Sequence, residues 1–215
     1  MKIALFGGSF NPLHLGHAVM ADTVLTELGY DKIVFIPSFK APHKDSKNTV
    51  SAEDRFSMVD AFCRSREDGR FVAENCEILR EGTSYTVDTI KWIYENYEFD
   101  GKPGLIMGEE IAAEFHKWKD PDYIAEHTDL IVVRRKAMEV HEEKYNNIAS
   151  GDYLGDGKAL FNAKSFGYPF IQVENPIITI SSTEIRKRIG EGKSFNYLLP
   201  PSVTKFIIEK NLYGN

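Results

Sequence analysis

The stretch GGSFNPLHLGH, residues 7–17, joins the apolar run KIALF at residues 2–6 to an amphipathic pattern at residues 17–29. An apolar run that ends in two glycines and is followed by helical periodicity predicts a strand, a tight turn and a helix. When such a unit starts a doubly wound parallel sheet, ligands bind outside the carboxyl ends of the strands. The stretch therefore predicts both the first βα unit and the position of a ligand site.

Four further apolar runs predict strands, namely KIVFIP at 32–37, GLIMG at 104–108, DLIVVRR at 129–135 and PFIQV at 169–173. Their hydrophobicity is continuous rather than alternating, which is typical of strands covered on both faces. Amphipathic segments lie between them, including residues 51–63, where Ser51 and Asp54 predict a capping box. This alternation predicts an α/β fold, a Rossmann-like doubly wound parallel sheet flanked by helices.

The C-terminal part, about residues 181–215, is predicted to be a small helical part of the same domain, which spans residues 1–215. Its two helical patterns are ISSTEIRKRIGEG at 180–192 and LPPSVTKFIIEKNLY at 199–213, the second opened by Pro200 and Pro201. Two long loops, at 38–50 and 150–168, are typical either of lids and substrate contacts or of plain connections.

The composition excludes several classes of protein. A formal net charge of −6 over 215 residues argues against a nucleic-acid binder with a broad basic surface, although a local pocket can still attract a small anion. Cys63 and Cys76 are too few for a disulfide framework, so we expect two ordinary thiols, buried or half-buried. With neither a signal-peptide pattern nor an apolar run of membrane-spanning length, we expect a cytoplasmic protein without a membrane partner. The oligomeric state stays open, a homo-oligomer included.

The 7–17 stretch has the features of a phosphate site. Gly7 and Gly8 allow the backbone to approach a phosphate closely, and the first amides of the following helix favour an anion. His14 and His17 are three residues apart, so with a helix beginning near residue 13 both imidazoles would share one face. Either they donate to one phosphate chain, or one of them caps the helix or packs. The spacing does not fit an HxxxH metal pair, and we predict no metal ligand in the protein.

GGSFNPLHLGH is similar to the GxFxPxHxGH signature of the nucleotidyltransferase superfamily, and its HxGH element resembles the HIGH motif of class I aminoacyl-tRNA synthetases. The resemblance implies that His14 and His17 act catalytically on the ATP phosphates. It implies further ATP contacts at Gly7, Gly8, Ser9 and Phe10. The motif specifies transfer of a nucleotidyl group and leaves the acceptor open.

A second phosphate element is predicted at ISSTEIRKRI, residues 180–189. Hydroxyl side chains at a helix start can cap it, and Arg186 lies one turn further on, where it can reach the same anion. Alone, this pattern is typical of a solvated helix start. It resembles the superfamily's ISSTxIR element, however, which implies a catalytic role for Arg186 and ATP contacts at Ile180, Ser181, Ser182, Thr183 and Arg186.

Three further segments resemble the nicotinate mononucleotide adenylyltransferase branch: IPSFKAPHK at 36–44, GTSYTVDTI at 82–90 and GEEIAAEFHKW at 108–118. The resemblance implies a nucleotide contact at Gly108 and Glu110. It implies acceptor contacts at Lys44, Ser84, Tyr85, Thr86, Trp118, Lys119 and Arg134. The branch usually shows Gly-Ala-Asp where this chain has Gly108, Glu109 and Glu110, and the commoner residue at Asn11 is Asp.

The acceptor implied by this branch is nicotinic acid mononucleotide. Thr86 opens a predicted helix whose free amides only donate, which suits the carboxylate of nicotinate better than the carboxamide of nicotinamide. The acceptor phosphate has a second pKa of about 6, so it can attack the α-phosphorus of ATP without a general base. Mg²⁺ is expected to arrive on the ATP phosphates. Alternatives are a preference for nicotinamide mononucleotide, another acceptor of the superfamily, or a nucleotide-binding sensor without turnover. The acidic balance opposes a tRNA-handling protein.

Overall fold

The structure, a computed structural model, describes residues 1–42, 50–134 and 161–214. The predicted site residue Lys44 and its neighbour His43 lie outside the described residues. So does the larger part of both predicted long loops, since residues 43–49 and 135–160 are not described.

The described strands are β1 Ile3–Gly8, β2 Lys32–Pro37, β3 Phe71–Ala73, β4 Gly104–Gly108, β5 Asp129–Val133 and β6 Ile171–Val173. The described helices are α1 Leu15–Glu27, α2 Ala52–Arg64, α3 Cys76–Arg80, α4 Thr86–Asn96, α5 Glu109–Ala112, α6 Pro121–His127, α7 Ser182–Gly190 and α8 Pro201–Glu209. Short 3-10 helices lie at Phe115–Lys117 and Asn196–Leu198.

The strands form one parallel sheet in the order β3-β2-β1-β4-β5-β6. The register aligns Gly8 with Pro37 and Leu5 with Leu105. The strand order changes direction between β1 and β4, which is the position where doubly wound sheets bind their ligands. The predicted fold class is confirmed, and the switch point lies between the ends of β1 and β4.

Helices cover both faces of the sheet, and because successive residues of each strand point to opposite sides, every strand can supply residues to two core layers. The first layer lies against α1, α2 and α8, and its strand residues are Ala4, Phe6, Ile33, Phe35, Phe71, Ile106, Ile131, Val133 and Val173. The second layer lies against α4 and α6, and its strand residues are Ile3, Leu5, Val34, Ile36, Leu105, Met107, Leu130 and Val132. The continuous apolar runs are thus explained by burial on two sides.

The two cysteines are divided between these layers. Cys63 of α2 belongs to the first layer and Cys76 of α3 to the second, and both are buried, free thiols. Burial raises the pKa of both thiols, that of Cys76 to about 12. The prediction of two ordinary thiols, buried or half-buried, is confirmed, and both are buried.

Several element bounds differ from the sequence-based prediction. The bounds of β2 and β4 are confirmed, and Ser51 is the predicted N-cap of α2, where its hydroxyl oxygen accepts from the Asp54 amide at 3.0 Å. A helix start near residue 13 was the condition for both histidines to share one face; α1 begins at Leu15, because His14 keeps extended backbone angles. The strand predicted at 129–135 ends at Val133, and the one at 169–173 starts at Ile171. The prediction missed β3, α3, α5 and α6, which have three to seven residues each.

None of the helices in the described ranges has the length and apolar character needed to cross a membrane.

Gly104, at the start of β4, tests how closely β4 packs against β5 and against Tyr30, which lies between α1 and β2. An added Cβ would lie 2.6 Å from the Tyr30 hydroxyl oxygen and 2.7 Å from Ile131 Cδ1. We therefore expect Gly104→Ala to lower the free energy of unfolding by about 1–3 kcal/mol, measured by urea denaturation. Gly190→Ala is the matched control, since its Cβ would meet nothing closer than 3.9 Å and the change should be neutral or slightly stabilising. Equal stability of the two variants would contradict this account of β4 packing.

Candidate active site

The loop after β1 makes a tight turn over the first core layer. Phe10 has a φ of 43°, and its ring is buried at 2% exposure, packed against Phe6 and Phe35. A Cβ on Gly8 would lie 3.1 Å from the Phe10 ring, so the turn needs glycine at that position. Any contact of Phe10 with a nucleotide would therefore come from its backbone, while Gly7 is exposed at the strand end.

The two histidines of the loop lie side by side at the start of α1. His14 is the N-cap residue and His17 lies in the first turn, with ring centroids 3.7 Å apart and planes inclined by 32°. The His14 amide donates to His17 Nδ1 at 3.2 Å, and the His17 ring meets Phe10 edge to face. A Cβ on Gly16 would lie 3.0 Å from the His14 ring, which explains the glycine between the two histidines. His14 therefore occupies the N-cap position and His17 Nδ1 accepts from its amide, while the two rings remain neighbours.

The second phosphate element docks directly on this loop. The Ser182 hydroxyl donates to the Pro12 carbonyl at 2.9 Å, and Arg186 Nη1 donates to the Asn11 carbonyl at 2.8 Å. Of the three hydroxyl residues predicted as able to cap, Ser181, Ser182 and Thr183, Ser181 is the N-cap of α7 and accepts from the Glu184 amide at 3.2 Å. Segments separated by 170 and 175 residues thus meet, and the two helix starts face one region of the molecule.

Tyr213 adds a third contact to the loop. Its hydroxyl donates to Asn11 Oδ1 at 2.7 Å, and burial raises the pKa of this phenol. The two residues are 202 positions apart, so no local sequence pattern signalled the contact. The Asn11 side chain, which replaces the commoner Asp, therefore has a defined structural partner.

The predicted acceptor segment lies at the start of α4. Tyr85 is the N-cap residue and Thr86 the first helical residue, as predicted. Lys119 Nζ lies 4.6 Å from the centroid of the Tyr85 ring and 3.3 Å from Asp88 Oδ2. Trp118 is half-buried, with its ring centroid 5.3 Å from that of Phe115. The structure therefore brings Tyr85, Thr86 and Lys119 together and supports Trp118 from the second core layer.

Ser84 ties this segment to the loop after β2. The Phe39 amide donates to Ser84 Oγ at 3.0 Å, and the Ser84 amide donates to the Lys40 carbonyl at 2.9 Å. The predicted acceptor residue Ser84 therefore has a positioning role as well, because it joins the segments that follow β2 and precede α4.

Arg134 shares a small pocket with one of the two histidines, His14. It follows β5 and lines a small pocket together with His14, Gly16, Met20, Asn175 and Ile178. Its guanidinium pairs with Glu174 at 2.6 Å, and its backbone amide donates to Asn175 Oδ1 at 2.8 Å. The predicted acceptor contact Arg134 therefore lines the same pocket as His14, which is a predicted ATP contact.

Gly108 and Glu110 lie where β4 ends and α5 begins. Both are half-buried, as is Glu109 between them. Burial raises the pKa of Glu109, while the positive charge of Arg134 opposes that shift and the charges of Glu174 and Glu110 add to it. Carboxylates and one guanidinium therefore share the edge of the sheet at the end of β4. Within the three described ranges, no group of three His, Cys, Asp or Glu side chains is arranged to hold a metal ion.

The sequence profile of the cytidylyltransferase-like family matches residues 5–188. The chain is 37% identical to the "Probable nicotinate-nucleotide adenylyltransferase" of Treponema pallidum (strain Nichols) over 99% of each chain. It is 33% identical to the protein of the same name in Borrelia garinii subsp. bavariensis, covering 99% of this chain and 95% of that one. The solved structure of "Plasmodium falciparum nicotinic acid mononucleotide adenylyltransferase complexed with NaAD" has a similar fold, with a TM-score of 0.65, 16% identity and coverage of 99% and 97%.

Proposed function

Because the chain belongs to the cytidylyltransferase-like family, in its nicotinate-nucleotide adenylyltransferase branch, we propose that it transfers the adenylyl group of ATP to nicotinic acid mononucleotide. The products are nicotinic acid adenine dinucleotide, a precursor in NAD biosynthesis, and pyrophosphate. The observation that carries the proposal is the direct hydrogen bonding between the histidine loop and the start of α7, at the switch point of the sheet. A cytoplasmic location is part of the proposal, since the reaction consumes ATP.

The phosphates of ATP would lie between the two helix starts. The first amides of α1 and α7 point out of the helix ends, where Ser181 already accepts from the Glu184 amide and the His14 carbonyl from the His17 amide, and both helix dipoles favour an anion there. His14, His17 and Arg186 lie at the same place and can stabilise the charge that develops on the α-phosphate and the leaving pyrophosphate. Arg134, beside His14, adds a positive charge to this side of the site.

The acceptor base would lie at the start of α4. The amide of Thr86 and its helical neighbours can donate to both oxygens of the nicotinate carboxylate, and the Lys119 ammonium adds a positive charge above Tyr85. Trp118 offers a half-buried aromatic face for the pyridine ring. The carboxamide of nicotinamide would bind less well here, because its NH₂ group would face other hydrogen-bond donors.

The reaction is a direct in-line displacement. The 5′-phosphate of the acceptor is largely dianionic at neutral pH, since its second pKa is about 6, so no side chain has to remove a proton. Its oxygen attacks the α-phosphorus of ATP, the new phosphoanhydride bond forms, and the bond to the leaving pyrophosphate breaks. The protein contributes by holding the two phosphates in line and by stabilising negative charge.

Mg²⁺ fits the proposed site as an ion that enters bound to ATP. The described residues offer scattered carboxylates rather than a cluster of metal ligands, so phosphate oxygens would supply most of its coordination. When bound, the ion would neutralise charge on the β- and γ-phosphates.

The acceptor preference tests the proposal. We expect kcat/KM for nicotinate mononucleotide to exceed that for nicotinamide mononucleotide by about 10–100-fold, the worth of one charge-assisted hydrogen bond. The measurement is pyrophosphate release with Mg²⁺ and ATP, with phosphopantetheine as a third acceptor. Release with phosphopantetheine alone would indicate a different branch of the superfamily. ATP binding without release for any acceptor would indicate a nucleotide-binding sensor.

A further inference from the structure

Arg55 joins two loops that follow neighbouring strands. It lies in the first turns of α2 and is only 2% exposed. Its Nη1 donates to the Ser9 carbonyl at 2.9 Å, and its Nη2 donates to the Phe39 carbonyl at 3.0 Å. Ser9 belongs to the histidine loop after β1, and Phe39 follows β2. One guanidinium therefore fixes the spacing between these loops.

The connection continues to the start of α4. The Phe39 amide, on the same residue that Arg55 binds through its carbonyl, donates to Ser84 Oγ at 3.0 Å. Lys40 and Thr83 form a parallel bridge beside this contact. An unbroken series of contacts thus runs from Ser9 through Arg55 and Phe39 to Ser84, and so joins the proposed ATP side to the proposed acceptor side.

Burying the charged guanidinium of Arg55 costs folding free energy. Burial is the main cause that lowers the pKa of Arg55, which means that the protein interior disfavours its charge. In the part of the chain that the structure describes, Arg55 Nε has no hydrogen-bond partner and no carboxylate lies within ion-pair distance of the guanidinium. The buried carboxyl of Glu77 lies near enough to favour the charge, but it is occupied by the Thr89 hydroxyl at 2.6 Å.

An apolar side chain would occupy such a position at a lower cost, because a buried charge needs full compensation by its neighbours. Stability therefore does not explain an arginine here. What arginine supplies, and an apolar residue does not, is a rigid pair of donors aimed at two loops.

We propose that Arg55 is a positioning residue for adenylyl transfer. The inference rests on the proposed function and deepens it: Arg55 sets the distance between the bound ATP and the bound acceptor, and hence the distance between the attacking oxygen and the α-phosphorus. Each loop keeps its own ligand contacts without Arg55. Loss of the guanidinium should therefore affect the reaction of the two substrates more than the binding of either one.

The experiment compares Arg55→Met and Arg55→Lys with the wild type, and uses Arg64→Met as the matched control. Arg64 ends the same helix, is exposed, and pairs with Asp60 at 2.8 Å. For each protein, kcat is measured well below the melting temperature, and the dissociation constants of ATP and of the acceptor are measured separately by calorimetry. We expect Arg55→Met to lower kcat by about a hundredfold, the effect of a misplacement near 1 Å, with each dissociation constant changed by less than about threefold.

The lysine variant retains a donor that can reach one carbonyl at a time, so its kcat should lie between those of wild type and Arg55→Met. It also provides the comparison if Arg55→Met does not fold. A lower melting temperature with unchanged kcat would show that Arg55 only stabilises the fold and would overturn the proposal. A rise in one dissociation constant that accounts for the whole loss would overturn it as well. The wild-type rate tests the proposed function separately, and the ratio of variant to wild type is measured with whichever acceptor the wild type uses.

Discussion

Replacing His17 with alanine is expected to lower kcat by at least about a hundredfold, because a preorganised group that stabilises transition-state charge is lost. The ring of His17 lies 3.7 Å from that of His14, at the first turn of α1, where the helix amides also point. KM for ATP should change much less, since the amides of both helix starts remain. Steady-state kinetics of pyrophosphate release give both values.

His116→Ala is the control for this variant, since His116 is an exposed histidine in a 3-10 helix. It should retain wild-type turnover and wild-type melting temperature. Wild-type turnover in His17→Ala itself would remove His17 from the chemistry and would leave His14 as the only histidine of the loop with a catalytic role.

Arg186 is the second residue for which we expect a loss of about a hundredfold or more in kcat. It lies one turn into α7, and Nη1 donates to the Asn11 carbonyl at 2.8 Å while Nη2 reaches Thr183 Oγ1 at 3.3 Å. Arg186→Ala removes both a positive charge from the phosphate side and the contact that holds the histidine loop. Arg186→Lys should rescue little, because an ammonium cannot replace a planar pair of donors.

Arg188 provides a control on the same helix. Its Nε donates to the Ser194 carbonyl at 2.8 Å, and its guanidinium lies 3.8 Å from Glu184. Both contacts are with α7 or with the residues that follow it, and neither is with the histidine loop. Arg188→Ala should change kcat by less than about twofold, because an exposed pair of this kind contributes little. If both arginine variants lost activity equally, the stability of α7 rather than the position of Arg186 would explain the loss.

The sequence predicted the elements that have strong local signals. Residues 32–37 and 104–108 are continuous apolar runs bounded by Gly or Pro, and β2 and β4 have those bounds. β3 has only three residues, so no periodicity could reveal it. The sequence left the start of α1 open, because its pattern does not show that His14 keeps extended angles and occupies the N-cap position.

The site residues that lie within one short sequence motif could be predicted. The contacts between residues far apart in the sequence could not. His14, His17, Ser182 and Arg186 belong to compact stretches with helix-start chemistry, and the structure brings the two stretches together. The contacts of Arg55 with Ser9, of Asn175 with Arg134, and of Tyr213 with Asn11 span 46, 41 and 202 positions. Only the strand order and the packing of α2 and α8 create such contacts.

The division of the two cysteines between opposite sides of the sheet makes each of them a natural probe. A thiol is alkylated as the thiolate, so burial and a raised pKa protect both Cys63 and Cys76 while the chain stays closed. Reaction requires an opening motion, and its rate depends on the free energy of that motion. The alkylation rate of Cys63 therefore reports how readily the packing around α2 opens. The alkylation rate of Cys76 reports the same for the packing around α3. Each side of the sheet therefore has one native cysteine whose alkylation rate reports local opening, without any engineered label.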